Sequence, residues 1–268
     1  MKLILDSDLF NQLDLYGALQ HIAWAGYDGV ELACLANWAR HIELNTNQSY
    51  LNEVKATAGK HGVELSAIHP DVGSLPGEDR TLSMMTMFEI AQKLDIPIVA
   101  IRSGGKSDNK EAMKQEIKYI KMLTAGAANR GVTLALNPHT GGSIYNTATV
   151  LQLLAAIDSP ALGIVLDPRE LTKAGDDPST FVSKIGKKIV HTHFRDLPKN
   201  QYEATPEEQI LGRGDIDFPK ILKNLKKVGY NKAIDILIIG AFTYPLSKQM
   251  EIAAECRGYL HRCFQELT

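Results

Sequence analysis

Short apolar runs rich in β-branched residues alternate along the chain with longer stretches in which apolar residues recur every three or four positions. The short runs predict strands at residues 2–6, 29–32, 63–69, 98–102, 132–137, 163–167, 188–193 and 233–239. The longer stretches predict helices at residues 12–25, 48–61, 79–94, 108–129, 145–157, 178–185, 217–228 and 246–265. A strand followed by a helix, eight times over, predicts an α/β fold in which one (β/α)8 TIM-barrel domain spans residues 1–268. A doubly wound open sheet is the alternative that this alternation leaves open.

Four of the predicted helix-to-strand junctions share one pattern, in which a glycine stands between the helix and the strand. They read AGYDGVEL (25–32), KHGVELSAI (60–68), NRGVTLALN (129–137) and VGYNKAIDI (228–236). Glycine readily takes the left-handed conformation that ends a helix. The repeated junction favours a closed, regular barrel over an irregular fold.

Composition narrows the classes of partner. The formal net charge is −2 and the basic residues are dispersed, which argues against a nucleic-acid partner. The three cysteines show no CxxC spacing, which indicates reduced thiols in a cytoplasmic protein. No apolar run approaches the roughly 20 residues that span a membrane, and the first residues do not resemble a signal peptide. We therefore expect a cytoplasmic protein that binds neither membrane nor nucleic acid.

Polar residues stand at the C-terminal tips of most predicted strands, where a TIM barrel carries its active site. In chain order they are Asp6, Glu31, His69, Arg102, Asn137 with His139 nearby, Asp167 and His193. Because these tips would surround one mouth, the pattern predicts a functional pocket there.

Six segments in order along the chain resemble the sugar phosphate isomerase/epimerase family. They are AGYDGVEL (25–32), LALNPHTG (134–141), GIVLDPREL (163–171), IVHTHFRD (189–196), LGRGDIDFPKIL (211–222) and GYNKAIDIL (229–237). Each segment is a weak signal alone, but the combination covers nearly the whole chain. The resemblance implies a xylose-isomerase-like TIM barrel.

The resemblance also implies a divalent metal, held by Glu, Asp, His and Glu from strands five to eight. Asp167 and His193 match two of these ligands, whereas Asn137 and Leu237 stand at the places of the two glutamates. An amide oxygen coordinates a hard cation more weakly than a carboxylate does, and leucine cannot coordinate at all. We therefore expect a depleted site that holds zinc or manganese weakly or not at all, through Asp167 and His193, with Asn137 and His69 as further candidate ligands.

In relatives of the epimerase type, the two glutamates move a proton next to a carbonyl group. Neither an amide nor an alkyl group can accept that proton, so this route is closed here. The remaining candidates for catalysis are His193, Asp167, Glu170 and His139. The candidates for substrate binding are His69, Arg102, Asn137, Arg213 and Trp38.

The resemblance favours a protein that acts on a small sugar, keto-acid or polyol by proton transfer or dehydration. The alternative is a non-catalytic barrel that binds a metabolite or a protein partner, because half of the metal ligands are replaced. The zinc-dependent endonuclease branch of this fold is disfavoured, since most of its many ligands are absent. We also expect the last predicted helix either to cover the barrel or to contact a second copy of the chain.

Overall fold

The computed structural model describes residues 1–35, 39–71, 77–199 and 201–267; the predicted pocket residue Trp38 therefore lies outside the described residues. Eight parallel strands surround a common axis. Their bounds are β1 Leu3–Asp6, β2 Gly29–Leu35, β3 Glu64–Asp71, β4 Ile98–Arg102, β5 Thr133–Asn137, β6 Leu162–Leu166, β7 Ile189–Thr192 and β8 Ile234–Ile236. A two-residue strand, Ala39–Arg40, pairs antiparallel with the end of β2.

The barrel closes between its first and last strands. Each strand from β1 to β6 pairs with the next, and β1 also pairs with β8. The β7–β8 seam is held mainly by Phe194, whose N–H donates to Asp235 O and whose carbonyl accepts from Leu237 N. The predicted (β/α)8 TIM barrel is confirmed, and the open doubly wound sheet was the wrong alternative.

Helices surround the barrel, one or two after each strand. They are α1 Leu15–Trp24, α2 Gln48–His61, α3 Gly77–Lys93, α4 Lys110–Ala128, α5 Thr147–Ala156, α6 Pro168–Lys173, α7 Pro178–Ile185, α8 Phe218–Lys227 and α9 Leu246–Gln265. None of the helices in the described ranges is long and apolar enough to cross a membrane.

Helix α8 shows how local sequence fixes an element. Asp217 caps its first turn by accepting a hydrogen bond from Lys220 N, and Pro219 fits the start of a helix, where the missing N–H costs nothing. Phe218, Ile221, Leu222 and Leu225 recur at helical spacing and are buried. Gly229 follows with a φ of +78°, as the junction pattern predicts.

One helix and one strand show the clearest differences from the sequence prediction. Helix α6 was not predicted, because its six residues are too few to show a periodicity. Strand β8 was predicted over residues 233–239 but ends at Ile236. The apolar run continues, yet the backbone of Ile239 is bonded by the side chain of Gln209 instead of a neighbouring strand.

The lower part of the barrel interior is filled by small and branched side chains. They are Ala67, Ile98, Ala100, Ala135 and Val165, with Val190 packed against them. Above this apolar layer, towards the C-terminal ends of the strands, the interior becomes polar. The larger hydrophobic core lies between the strands and the helices, which leaves the upper barrel free for chemistry.

Candidate active site

Strand β7 and the residues that directly follow it supply three polar side chains to the barrel interior. Because alternate residues of a strand face the same side, His191, His193 and Arg195 lie one above another from the interior towards the mouth. All three are buried, with exposed fractions of 3%, 0% and 5%. The sequence prediction used only His193, although the spacing of two residues also indicates Arg195.

A cavity of about 400 Å³ opens at the mouth of the barrel. Its lining includes five of the predicted site residues: His69, Arg102, Asn137, His139 and Glu170. It also includes groups that were not predicted, among them Asp8, Arg169, Lys173, Arg195 and Glu203. Asp167 and His193 lie beneath this surface and are almost fully buried. The structure therefore gathers most of the predicted residues but arranges them in two layers.

Arg195 occupies the centre of the upper layer. Its Nη2 atom lies 3.1 Å from Asp167 Oδ2 and 3.5 Å from Glu170 Oε1. Asp167 also begins helix α6, since its Oδ1 accepts a hydrogen bond from Glu170 N at 3.1 Å. The guanidinium thus bridges two buried carboxylates, one at the start of α6 and one in its first turn.

Glu170 is held as a carboxylate by the cations around it. Arg169 Nη1 donates to its Oε1 at 2.9 Å, and Lys173 Nζ lies 3.7 Å away. Thr140 donates from both its N–H and its hydroxyl group to Oε2. Burial would raise the pKa of Glu170, but Arg195 first, and then His139, lower it to about 2. Glu170 therefore cannot supply a proton near neutral pH.

This environment predicts an acid-sensitive contribution to stability. Since the pKa falls from an ordinary 4.5 to about 2 on folding, the contribution is present above pH 4.5 and is lost as the pH falls to 2. A shift of this size corresponds to about 3 kcal/mol. We expect the wild type to lose about that much more unfolding free energy than Glu170→Gln over this range, measured by urea denaturation. The control is Glu203→Gln, which changes an exposed partner of Arg169. If the unfolding free energies of the wild type and Glu170→Gln fall equally with pH, the low pKa of Glu170 is contradicted.

His139 stands on the cavity wall after β5 and is the predicted histidine with access to a ligand. Its Nε2 atom lies 3.8 Å from Glu170 Oε2, and 28% of its side chain is exposed. Burial lowers the pKa of His139 below its ordinary value, although Glu170 acts in the opposite direction. The imidazole is therefore neutral near pH 7 and can accept a proton.

Asp8, after β1, is a titratable group that the sequence reasoning missed. It lines the same cavity and accepts a hydrogen bond from Asn11 at 3.0 Å. Burial, and then the neighbouring Asp6, raise the pKa of Asp8 to about 7. Asp8 stands two residues after Asp6, the predicted tip of β1. This spacing could have indicated a second carboxyl group at the mouth.

The metal position implied by the family resemblance does not fit a cation here. Leu237 offers no ligand atom, and Asp167 is already paired with the Arg195 guanidinium. The Asn137 Nδ2 group lies 3.2 Å from His193 Nδ1 and 3.5 Å from Asp167 Oδ2. The Arg195 guanidinium thus occupies the region in which the ligands of the relatives would hold an ion.

A second group of potential ligands lies one layer deeper in the barrel. It consists of side chains from β2, β7 and β8, all with exposed fractions of 3% or less. We call it the deep cluster, and its members are Glu31, His191, His193 and Asp235. His193 belongs to this group through its Nε2 atom, which lies 2.8 Å from Glu31 Oε2. The described residues therefore do contain a set of side chains suited to a divalent metal.

The two remaining arginines predicted at the site differ in their positions. Arg102 lines the cavity and forms an ion pair with Asp71 at 3.1 Å. Arg213 instead donates through Nε and Nη2 to the carboxylate of Glu255 on α9 and is not among the residues that line the cavity in the described structure. The prediction that Arg213 binds an anion therefore has no support from this geometry.

The segment LGRGDIDF owes its spacing to Asp196, which follows β7. The carboxylate of this buried residue accepts hydrogen bonds from the backbone N–H groups of Leu197, Gly212 and Ile216. A Cβ atom on Gly214 would lie 2.3 Å from Asp196 Oδ1, so the close approach requires glycine. The segments IVHTHFRD and LGRGDIDF of the family pattern thus form one structural unit.

Comparison with known proteins agrees with the fold. The family described as xylose isomerase-like TIM barrel matches residues 19–256. The uncharacterized protein MJ1311 of Methanocaldococcus jannaschii is 27% identical over 254 residues, which is 88% of this chain and 83% of that protein. Inosose dehydratase of Clostridium beijerinckii is 23% identical over 184 residues, 64% of this chain and 60% of the dehydratase.

A crystal structure of the IolI protein with a bound zinc atom has the same fold, with a TM-score of 0.81 at 17% identity over 100% of this chain and 99% of that one. The predicted resemblance is confirmed, and the family includes sugar-modifying enzymes. The chain belongs to the xylose isomerase-like TIM barrel family.

Proposed function

We propose that the protein is an isomerase or epimerase that moves a proton at the carbon beside a carbonyl group, in a small hydroxy-carbonyl compound that also bears a carboxylate. The observation that carries this proposal is the pair His139 and Asp8, which line one cavity. They follow β5 and β1, and these strands lie opposite each other in a barrel of eight. Two proton-exchanging groups therefore face a bound molecule from opposite sides.

The reaction follows from the protonation states of these groups. Neutral His139 takes the proton from the carbon, and the electron pair moves onto the carbonyl oxygen to give an enolate. Arg195 stabilises that negative charge, since its planar guanidinium offers several donors in fixed positions. Protonated Asp8 then supplies a proton on the opposite face, which inverts the carbon. Return of the proton to a neighbouring carbon would give an isomerase instead.

The preference for an anionic substrate rests on the charges of the wall. Arg102, Arg169, Lys173 and Arg195 line the cavity, against the carboxyl groups of Asp8, Glu170 and Glu203. The Nε–H groups of Arg169 and Arg195 are buried without a hydrogen-bond partner among the described residues. Because an unpaired buried donor is costly, an oxygen of the substrate is the partner that we expect them to gain.

In this proposal the other predicted catalytic residues hold the site together. Asp167 and Glu170 position Arg195, and His193 has both of its ring nitrogens engaged below the cavity. His69, whose Nδ1 atom donates to Asp6 Oδ2 at 3.1 Å, contributes to the wall. None of these residues needs to exchange a proton with the substrate.

Solvent-exchange measurements test the function. Purified protein is incubated in D2O with two matched panels, neutral sugars and the corresponding sugar acids or hydroxy keto-acids, and deuterium at carbon is followed by NMR. We expect incorporation beside the carbonyl group of an acidic compound and slower or no incorporation in its neutral counterpart. A ligand that raises the melting temperature without deuterium exchange or product would instead support the non-catalytic barrel. The replacement of the two glutamates is the observation that favours this alternative.

A further inference from the structure

We propose that the deep cluster binds one zinc ion inside the barrel, beneath the substrate cavity. This site goes beyond the proposed function, because its members exchange no proton with the substrate. It also differs from the metal position implied by the family resemblance. That position lies in the layer above, where Asp167 is paired with Arg195. The ion neutralises the charge of the two carboxylates and holds the four side chains of the deep cluster in place beneath the cavity.

The donor atoms of the deep cluster lie close enough to one another to surround a single ion. Zinc bonds to imidazole nitrogen and carboxylate oxygen at about 2.0–2.1 Å, which places its ligand atoms about 3.3 Å from one another. His193 Nε2 lies 2.8 Å from Glu31 Oε2, His191 Nε2 lies 3.1 Å from Glu31 Oε1, and His191 Nε2 lies 3.9 Å from Asp235 Oδ2. One atom from each member lies within 4.8 Å of all the others. Small side-chain rotations are therefore enough to surround an ion.

The deep cluster also contains an unusual number of unpaired buried atoms. Glu31 Oε1, His191 Nε2 and both carboxylate oxygens of Asp235 have no partner with hydrogen-bond geometry among the described residues, although His191 Nε2 lies 3.1 Å from Glu31 Oε1. Each such group costs about 1–3 kcal/mol, and more when it is charged. All of these atoms belong to side chains that are at least 97% buried. A cation bound among them would satisfy all of them together.

Charge leads to the same conclusion. Glu31 and Asp235 are two carboxyl groups in the barrel interior, and no arginine or lysine contacts either of them among the described ion pairs. Two buried carboxyl groups that lie this close together are stable when a cation balances their charge or when they share a proton. Two carboxylates and two neutral imidazoles balance a 2+ ion, and this mixed nitrogen and oxygen set suits zinc.

Asn137 completes the site from above. Metal-bound imidazole needs its second nitrogen to donate a hydrogen bond to a fixed acceptor. Asn137 Nδ2 lies 3.2 Å from His193 Nδ1, and the amide oxygen of Asn137 has no partner among the described residues. Rotation of this amide by half a turn presents the oxygen to the His193 Nδ1–H group. An amide at position 137 thus serves to orient the ligand His193 instead of coordinating the ion.

Metal content tests this inference directly. The wild type is equilibrated with chelator-buffered zinc, desalted and analysed by mass spectrometry, and Co²⁺ is substituted to record its visible spectrum. We expect about one zinc per chain and the intense absorption of four-coordinate Co²⁺. Asp235→Asn and His191→Gln are expected to weaken zinc binding at least about 100-fold.

The matched control is Asp167→Asn, which changes the ligand implied by the family resemblance and leaves the deep cluster intact. It is expected to retain zinc. The inference is overturned if the wild type binds no stoichiometric zinc, or if Asp167→Asn loses the ion while Asp235→Asn keeps it. If the deep variants fail to fold, the Co²⁺ spectrum of the wild type decides, because an octahedral spectrum contradicts the proposed four ligands.

Discussion

Replacing His139 with glutamine is expected to slow proton exchange on the substrate by about 10²–10⁴-fold, the usual contribution of a general base. Glutamine keeps the approximate size and polarity of the side chain but cannot accept the proton. Because His139 is partly exposed and its one ion contact among the described residues is with Glu170, its replacement should cost little stability. The variant therefore separates the chemistry from the fold.

The measurement is the rate of deuterium incorporation at saturating substrate, compared with wild type and with His261→Gln. His261 lies exposed on helix α9, so that control should exchange at the wild-type rate. Substrate binding by His139→Gln, followed by calorimetry, should persist. Exchange at an undiminished rate in a folded His139→Gln protein would show that another group is the base, and the proposed assignment would have to be abandoned.

Replacing Arg195 with methionine is expected to destabilise the protein by about 3–5 kcal/mol, the usual cost of removing one partner from a buried ion pair. The loss leaves Asp167 without its cation and removes one of the positive groups beside Glu170. Methionine fills much of the volume, so a cavity contributes little. Arg195→Lys keeps the charge but cannot bridge both carboxylates with one planar group, and we expect an intermediate loss.

Urea denaturation at pH 7 measures both effects, and Arg262→Met is the control. Arg262 is exposed and lies over the Tyr259 ring at 5.3 Å, so its removal should cost less than about 1 kcal/mol. Combining Arg195→Met with Asp167→Asn should recover part of the stability, because the uncompensated charge is then gone. A loss below about 1 kcal/mol for Arg195→Met alone would mean that the pair is not a buried one.

The fold was predictable from the sequence because hydrophobic periodicity and glycine junctions act locally. All four junction glycines have left-handed φ values, between 68° and 83°, and the predicted strands agree closely with those observed. The exceptions depend on distant partners. Strand β8 ends early because Gln209 reaches across to bond Ile239, and no local pattern near residue 239 indicates this contact.

The candidate site was predictable in place but less so in detail. The strand tips indicated the mouth, and the identities of Asn137 and Leu237 indicated that two of the ligands implied by the family resemblance are replaced. The roles were not visible, because they depend on depth within the barrel. Asp235 and His191 lie one layer below the tips and are almost fully buried, while Arg195 stands one layer above and places a positive charge beside Asp167. Resolving such layers requires the register between strands, which a single sequence does not specify.

The seam between β1 and β8 has a consequence for biosynthesis. Residues 3–6 leave the ribosome before their neighbours at residues 234–236, which are translated more than two hundred residues later. Because the barrel closes only when such distant segments meet, the edge of β1 that faces β8 stays unpaired until β8 has been translated. A chaperone that shields exposed strand edges would therefore act on this edge in the interval before β8 is made.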